Sequence, residues 1–132
     1  DGELFGVDAL LVQEVSRHLA LTPVPLAPHA VGGVMNLRGE VVTALDLRRL
    51  LGRPDRAAGD KPMNVVLRNE GGSVSLLVDH IESVEDVEDE TFEPIPDTVT
   101  GAAREFLSGA YKLPDGLLLT LDVPRVLDPR PA

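Results

Sequence analysis

The sequence predicts an all-β fold with short helices, built as two pseudo-symmetric lobes, and three observations predict it. The first is composition: 132 residues, 43% of them hydrophobic but only 3% aromatic and with no Trp, leave Val, Leu, Ile and Ala to build the core, which suits strands and short helices. A chain of this length fits one domain and buries roughly two-thirds of the surface its unfolded form exposes, so it should fold without staples. The second is the spacing of short apolar runs broken by Gly and Pro, which indicates small barrels or a sandwich rather than a parallel sheet. The third is an internal repeat.

Laying Gly33 to Leu51 over Gly109 to Leu127 requires no gap. Gly33 meets Gly109, Leu37 meets Leu113, Val41-Val42 meet Leu117-Leu118, Leu45-Asp46 meet Leu121-Asp122, and Arg49 and Leu51 meet Arg125 and Leu127. A looser copy continues upstream at a slightly smaller offset. There Val7-Asp8 resembles Val78-Asp79, Val12 to Val15 resembles Val84 to Val87, and Pro23-Val24-Pro25 resembles Pro94-Ile95-Pro96.

In chain order, strands are expected over Leu4 to Val7, Leu10 to Val15, Val31 to Leu37 and Val41 to Leu45. Asp46 then offers a carboxylate to the free N–H groups of a short helix, Leu47 to Leu51, with Gly52 as its stop. Strands follow over Asn64 to Arg68, Val74 to Val78 and Ile81 to Val87, the first two joined by a hairpin turn at Glu70-Gly71-Gly72. Ala102 to Leu107 is read as a helical turn and Leu117 to Leu121 as a strand. Asp122 caps the last helix, and Pro124 sits in its first turn, where a missing N–H costs nothing. The Pro- and charge-containing connector Arg53 to Pro62 is expected to be the lobe boundary or an exposed loop, dividing the domain 1–132 into approximate lobes 1–58 and 62–132 with strands free to exchange between them. Asp97 to Ala103 is a second loop.

Charge and residue types exclude several functions. Twenty-two acidic against twelve basic residues give a net charge of −10, which repels phosphate backbones and anionic headgroups, so neither nucleic acid nor direct membrane binding is expected. The absence of Cys removes disulfides and thiolate metal sites and suits a reducing compartment. No apolar run approaches the ~20 residues of a membrane span. Asp1-Gly2-Glu3-Leu4-Phe5 has neither the basic nor the apolar region of a signal peptide, so a soluble, cytoplasmic protein is expected.

His18, His29 and His80 are scattered, without the short spacing of a zinc site, and no Gly-x-Ser-x-Gly elbow is present. The acidic run Glu82 to Glu93 has Val84 and Val87 where a calcium loop needs oxygens, and reads as a solvated strand edge and turn. Gly32-Gly33 is followed by no Gly-Lys-Ser or Gly-Lys-Thr and reads as a bulge or a close backbone approach before a strand. Neither enzyme activity nor a cofactor nor a metal is expected.

The stretch Gly33-Val34-Met35-Asn36-Leu37-Arg38-Gly39-Glu40-Val41-Val42, followed by Asp46-Leu47-Arg48, closely resembles the central signature of CheW-like domains. Glu3 to Asp8 through Val12 to Val15 resembles that family's opening, Leu77 to Ile81 its central strand and turn, and Phe106 to Gly109 with Leu117 to Asp122 its closing part. The resemblance implies two SH3-like β-barrel lobes packed side by side. It also implies an adaptor, cytoplasmic and recruited to membrane receptor arrays, that couples the cytoplasmic tip of methyl-accepting chemoreceptors to the regulatory domain of a sensor histidine kinase. The alternative within the same fold is a CheW-like regulatory domain from a kinase, or from an adaptor fused to a response-regulator domain.

Carried over by position, the receptor-binding residues are Val12, Glu14, Gly33, Asn36, Arg38 and Gly109, with Asp46 and Asp122 as structural caps. Arg38 and Glu14 are expected to pair, since a guanidinium can grip a carboxylate through two parallel hydrogen bonds. Family members carry a further strand ahead of the Glu3 to Asp8 segment, so an open strand edge there would offer a route to self-association.

Overall fold

The computed structural model describes residues 4–17, 20–57, 59–69, 72–81, 92–96, 102–113 and 116–127. Strands β1 (Leu4–Gly6), β2 (Val12–Ser16), β3 (Val31–Leu37), β4 (Glu40–Asp46), β5 (Met63–Asn69), β6 (Gly72–Val78), β7 (Phe92–Glu93), β8 (Leu107–Leu113) and β9 (Gly116–Leu121) are joined by short helices α1 (Leu47–Leu50), α2 (Ala102–Glu105) and α3 (Val123–Leu127). They form two sheets, one ordered β2-β5-β6-β4-β3 and the other β1-β9-β8-β7.

The internal repeat is a repeat of hydrogen-bond register. In the β3–β4 hairpin Val31 faces Leu45, a bulge intervenes, and Gly33 faces Ala44, then Met35 Val42 and Leu37 Glu40. The β8–β9 hairpin follows suit: Leu107 faces Leu121, a bulge intervenes, and Gly109 faces Thr120, then Tyr111 Leu118 and Leu113 Gly116. Each hairpin receives a third segment antiparallel to its first strand, Thr22 opposite Val34 and Glu93 opposite Ala110. A parallel strand flanks the second strand of each, β6 beside β4 and β1 beside β9. Each ends alike, since the Asp46 N–H donates to Ala30 O and the Asp122 N–H to Phe106 O, both at 2.8 Å.

The looser upstream match is displaced from this structural one. Val74 faces Thr43 and Phe5 faces Leu119, which makes Phe5 the counterpart of Val74 rather than of Leu76, a phase that still keeps inward residues inward. The match of Val12 to Val15 with Val84 to Val87 lies outside the described residues in its second half, as do most of the acidic run, the Ile81 to Val87 strand, the tip of the Glu70-Gly71-Gly72 turn, His18 and most of the Asp97 to Ala103 loop.

Apolar side chains collect in two clusters. The larger joins the sheets: Leu45, Leu47, Leu50, Leu51, Leu67 and Leu76 from one side meet Phe106, Leu107, Ala110, Leu119, Leu121, Val123 and Val126 from the other. The smaller, Met35, Val42 and Val66 with Leu21 and Leu37, fills the opposite face of the first sheet. Alternation along β4 explains the split, because Val42 points to one cluster and Leu45 to the other, while Val41 and Thr43 stay exposed near the hairpin end.

Sheet membership exchanges strands across the expected lobe boundary. The connector 53–62 does not separate the sheets, because β5 and β6 after it join β3 and β4 before it, whereas β1 joins the far C-terminal hairpin. The strand expected from Leu10 starts at Val12: the Asp8 carboxylate accepts from the Leu10 N–H at 2.9 Å and the Asp8 carbonyl from the Leu11 N–H, winding Ala9–Leu11 into a 310 turn. The helical turn expected to Leu107 stops at Glu105, because Leu107 is already paired in β8.

Candidate functional site

The β3–β4 turn is two residues long. Leu37 faces Glu40, and both central residues have positive φ, 53° at Arg38 and 85° at Gly39, the condition of a type I′ turn that matches the twist of the strands. Glycine adopts this backbone freely, whereas for Arg38 it costs roughly 1 kcal/mol. Asn36 supports the turn by accepting from the Gly39 N–H through Oδ1 at 2.8 Å. The strained position aims the Arg38 side chain at β2, where Nη1 donates to Glu14 Oε2. The expected pair therefore forms, through one hydrogen bond rather than two, and it ties the hairpin tip to the strand at the opposite end of the sheet order. Arg38 remains 71% exposed along its side chain. On β2 a bulge between Val12 and Glu14 interrupts the pairing with β5, and the Val12 side chain is partly buried against the larger core.

Gly33 and Gly109 are buried, and each lies under the third segment of its own lobe. A Cβ on Gly33, where φ is 146°, would stand 2.8 Å from the Thr22 carbonyl oxygen. One on Gly109 would collide with the Phe92 ring, 2.7 Å from Cε1, and stand 2.8 Å from the Glu93 carbonyl oxygen. The close approach that these glycines permit is thus satisfied within the chain. Five of the six expected residues belong to β2 and the β3–β4 hairpin, with Val12, Glu14, Asn36 and Arg38 toward β2 and the turn and Gly33 further along β3; Gly109 is in the other sheet.

A second constellation escaped the sequence reading. Asp46 caps α1 as expected, accepting from the Arg48 N–H at 3.0 Å, but both of its carboxylate oxygens also accept from Arg56 Nη1 at 3.0 Å. Arg56 Nη2 donates to the Leu77 carbonyl at 3.0 Å, and its Nε lies 2.8 Å from Asp79 Oδ1 with the N–H not aligned for a hydrogen bond. Arg48 completes the group by donating to Asp79 from Nε at 2.9 Å and from Nη2 at 2.6 Å. These bonds hold the Asp79 carboxyl below the usual aspartate range, against the opposing effect of burial, and raise the Arg48 guanidinium in return. Two cations and two anions compensate one another here. The only signal in the sequence was that Asp46-Leu47-Arg48 and Val78-Asp79 each lie in a stretch that resembles the family's motifs, while Arg56 lies in the Pro- and charge-containing connector. Asp122, the second cap, accepts from the Arg125 N–H at a longer 3.4 Å.

Duplicated hairpins, a shared interlobe core and an exposed, ion-paired turn define a two-lobed all-β module with SH3-like lobes. The model of the CheW-like domain matches residues 1–130, and the chain belongs to that family. The chemotaxis protein CheW of Treponema pallidum (strain Nichols) is 29% identical over 125 residues, covering 92% of this chain and 74% of the relative. That of Rhizobium meliloti (strain 1021) is 29% identical over 122 residues, covering 92% of this chain and 79% of the relative. Among solved structures, the crystal structure of the scaffolding protein TtCheW from Thermoanaerobacter tengcongensis superposes with a TM-score of 0.81 at 27% identity, covering 92% of this chain and 82% of that one.

Proposed function

We propose that this chain is a non-catalytic cytoplasmic adaptor of chemotaxis-type signalling, coupling methyl-accepting chemoreceptors to a sensor histidine kinase by binding both. Family membership over nearly the whole chain, and relatives that are chemotaxis proteins and a scaffolding protein, support the class. The observation that carries the receptor role is the Arg38 turn: a strained, exposed arginine held by Glu14 and by the Asn36-supported hairpin is a rigid, preoriented contact, which reduces the ordering cost of association. Exposed Val41 on the same hairpin adds apolar surface for a helical receptor tip. In this reading Val12, Glu14, Asn36 and Arg38 meet the receptor, whereas Gly33 and Gly109 act through the segments seated on them.

The free adaptor is preferred to a kinase-borne regulatory domain because the relatives it matches along most of their length are themselves CheW proteins. Self-association would use the outer edge of β1, which among the described residues pairs with β9 on its other side. Titration of the purified chain against a receptor cytoplasmic hairpin and, separately, a kinase regulatory domain tests the proposal. Arg38→Ala should weaken the first at least tenfold. Absence of binding to both would overturn the adaptor reading.

A further inference from the structure

We propose that residues 53–57 form a salt-locked strap, held closed across the end of β6 by Arg56 and releasable without unfolding either sheet. This segment joins α1 to β5, has no regular secondary structure, and contributes no side chain to either apolar cluster. A connector of that kind belongs to the least stable part of a fold. Nevertheless the Arg56 side chain is only 10% exposed, because it runs inward to grip Asp46, the Leu77 carbonyl and Asp79. Neighbouring positions are held in the same way: Arg48 Nη1 donates to the Pro54 carbonyl at 3.0 Å, and Arg49 Nε to Asp55 at 3.3 Å. Beside the backbone bond from the Arg53 N–H to the Arg48 carbonyl, these attachments to the body of the domain run through charged side chains.

Comparison of the two lobes separates the strap from what the fold itself requires. The counterpart of Arg48 in the second copy is Pro124, which has no side-chain donor, and yet hairpin, cap and helix are built there in the same register. Asp122 serves as a cap with a single longer bond where Asp46 carries three. The network in the first lobe is therefore an addition to the unit. Since it consists of ion pairs over a compensated group, removing one charge leaves its partners buried and unpaired, and the strap should open instead.

Limited trypsin digestion reads this directly. Arg53 and Lys61 are each followed by proline, which blocks cleavage, so the Arg56–Ala57 bond is the one susceptible site between Leu50 and Leu67. Trypsin must take the arginine side chain into its own pocket, which the closed strap forbids. The native chain should resist cutting at Arg56, while Asp79→Asn and Asp46→Asn accelerate it at least tenfold. The near-ultraviolet signal of Tyr111 and the hydrogen-exchange protection of β5 and β6 should stay unchanged. For a variant that does not fold, the native chain in rising NaCl substitutes, with rates normalised to an arginine peptide. Rapid cutting at Arg56 in the native chain, no acceleration, or acceleration at all arginines together would each overturn the strap.

Discussion

Replacing Gly109 by Ala tests the claim that this glycine seats the chain's own third strand. The new Cβ would meet the Phe92 ring and stand 2.8 Å from the Glu93 carbonyl oxygen. The ring is 46% exposed and can swing away, which removes its edge-on contact with Tyr111, at 5.0 Å between centroids, worth about 0.5–1.5 kcal/mol. The Glu93 carbonyl is backbone, so β7 must also lift from β8, weakening ladder bonds worth about 1 kcal/mol each. Gly109 does not have positive φ, so no left-handed strain adds to this, and the stiffer unfolded chain returns about 0.4–1 kcal/mol to the folded state. The net expectation is a loss of about 1–3 kcal/mol, as for other overpacked sites, or a melting point lower by roughly 4–12 °C for a domain of this size.

Denaturant melts followed by circular dichroism measure that loss. Tyr111 is the single Tyr and the chain has no Trp, so tyrosine fluorescence reports on the displaced strand itself. Gly39→Ala controls for the reporter alone: its φ of 85° makes alanine cost roughly 1 kcal/mol of stability, but its Cβ would meet nothing within 4 Å, so the native Tyr111 signal should not respond. A Gly109→Ala protein with native stability and an unchanged Tyr111 signal would refute the reasoning.

Other outcomes follow from the same geometry. Asp46→Ala removes a helix cap and lets Arg56 swing into water with the opened strap, so it should cost about 1–2 kcal/mol in urea unfolding, against less than about 1 kcal/mol for Asp122→Ala, whose capping bond is longer. Arg38→Ala should change stability by less than ~1 kcal/mol, because the guanidinium is largely in water, and any large loss of melting temperature would contradict a binding role. The Asp79 carboxyl is lowered in the folded state by its bonds from Arg48, so its contribution to stability is complete above the ordinary aspartate range and is lost as pH falls below it. Asp79→Asn should flatten that acid limb of a stability-against-pH curve, and an unchanged limb would argue against the pair.

The sequence by itself determined the local units of this protein. Although the strand Leu107–Leu113 and the shared register and bulge were not read from the repeat, apolar runs placed β3 at its observed limits, Asp46 and Asp122 marked two helix starts, and the match of Gly33 to Leu51 with Gly109 to Leu127 anticipated a repeated unit of strand and short helix. These are effects of neighbouring residues, so neighbouring residues reveal them. The Glu14–Arg38 pair was legible only because the resemblance put both residues at one site.

Tertiary structure alone decided the rest. Pairing of β1 with β9 and of β6 with β4 is parallel and joins segments far apart in the chain, so no turn sequence announces it. The same holds for Thr22 over Gly33, Phe92 over Gly109, and Arg56 against Asp46 and Asp79. The physical reason is common to all of them: such contacts are chosen by whichever arrangement buries the two apolar clusters and still compensates every enclosed charge, a balance struck over the whole fold.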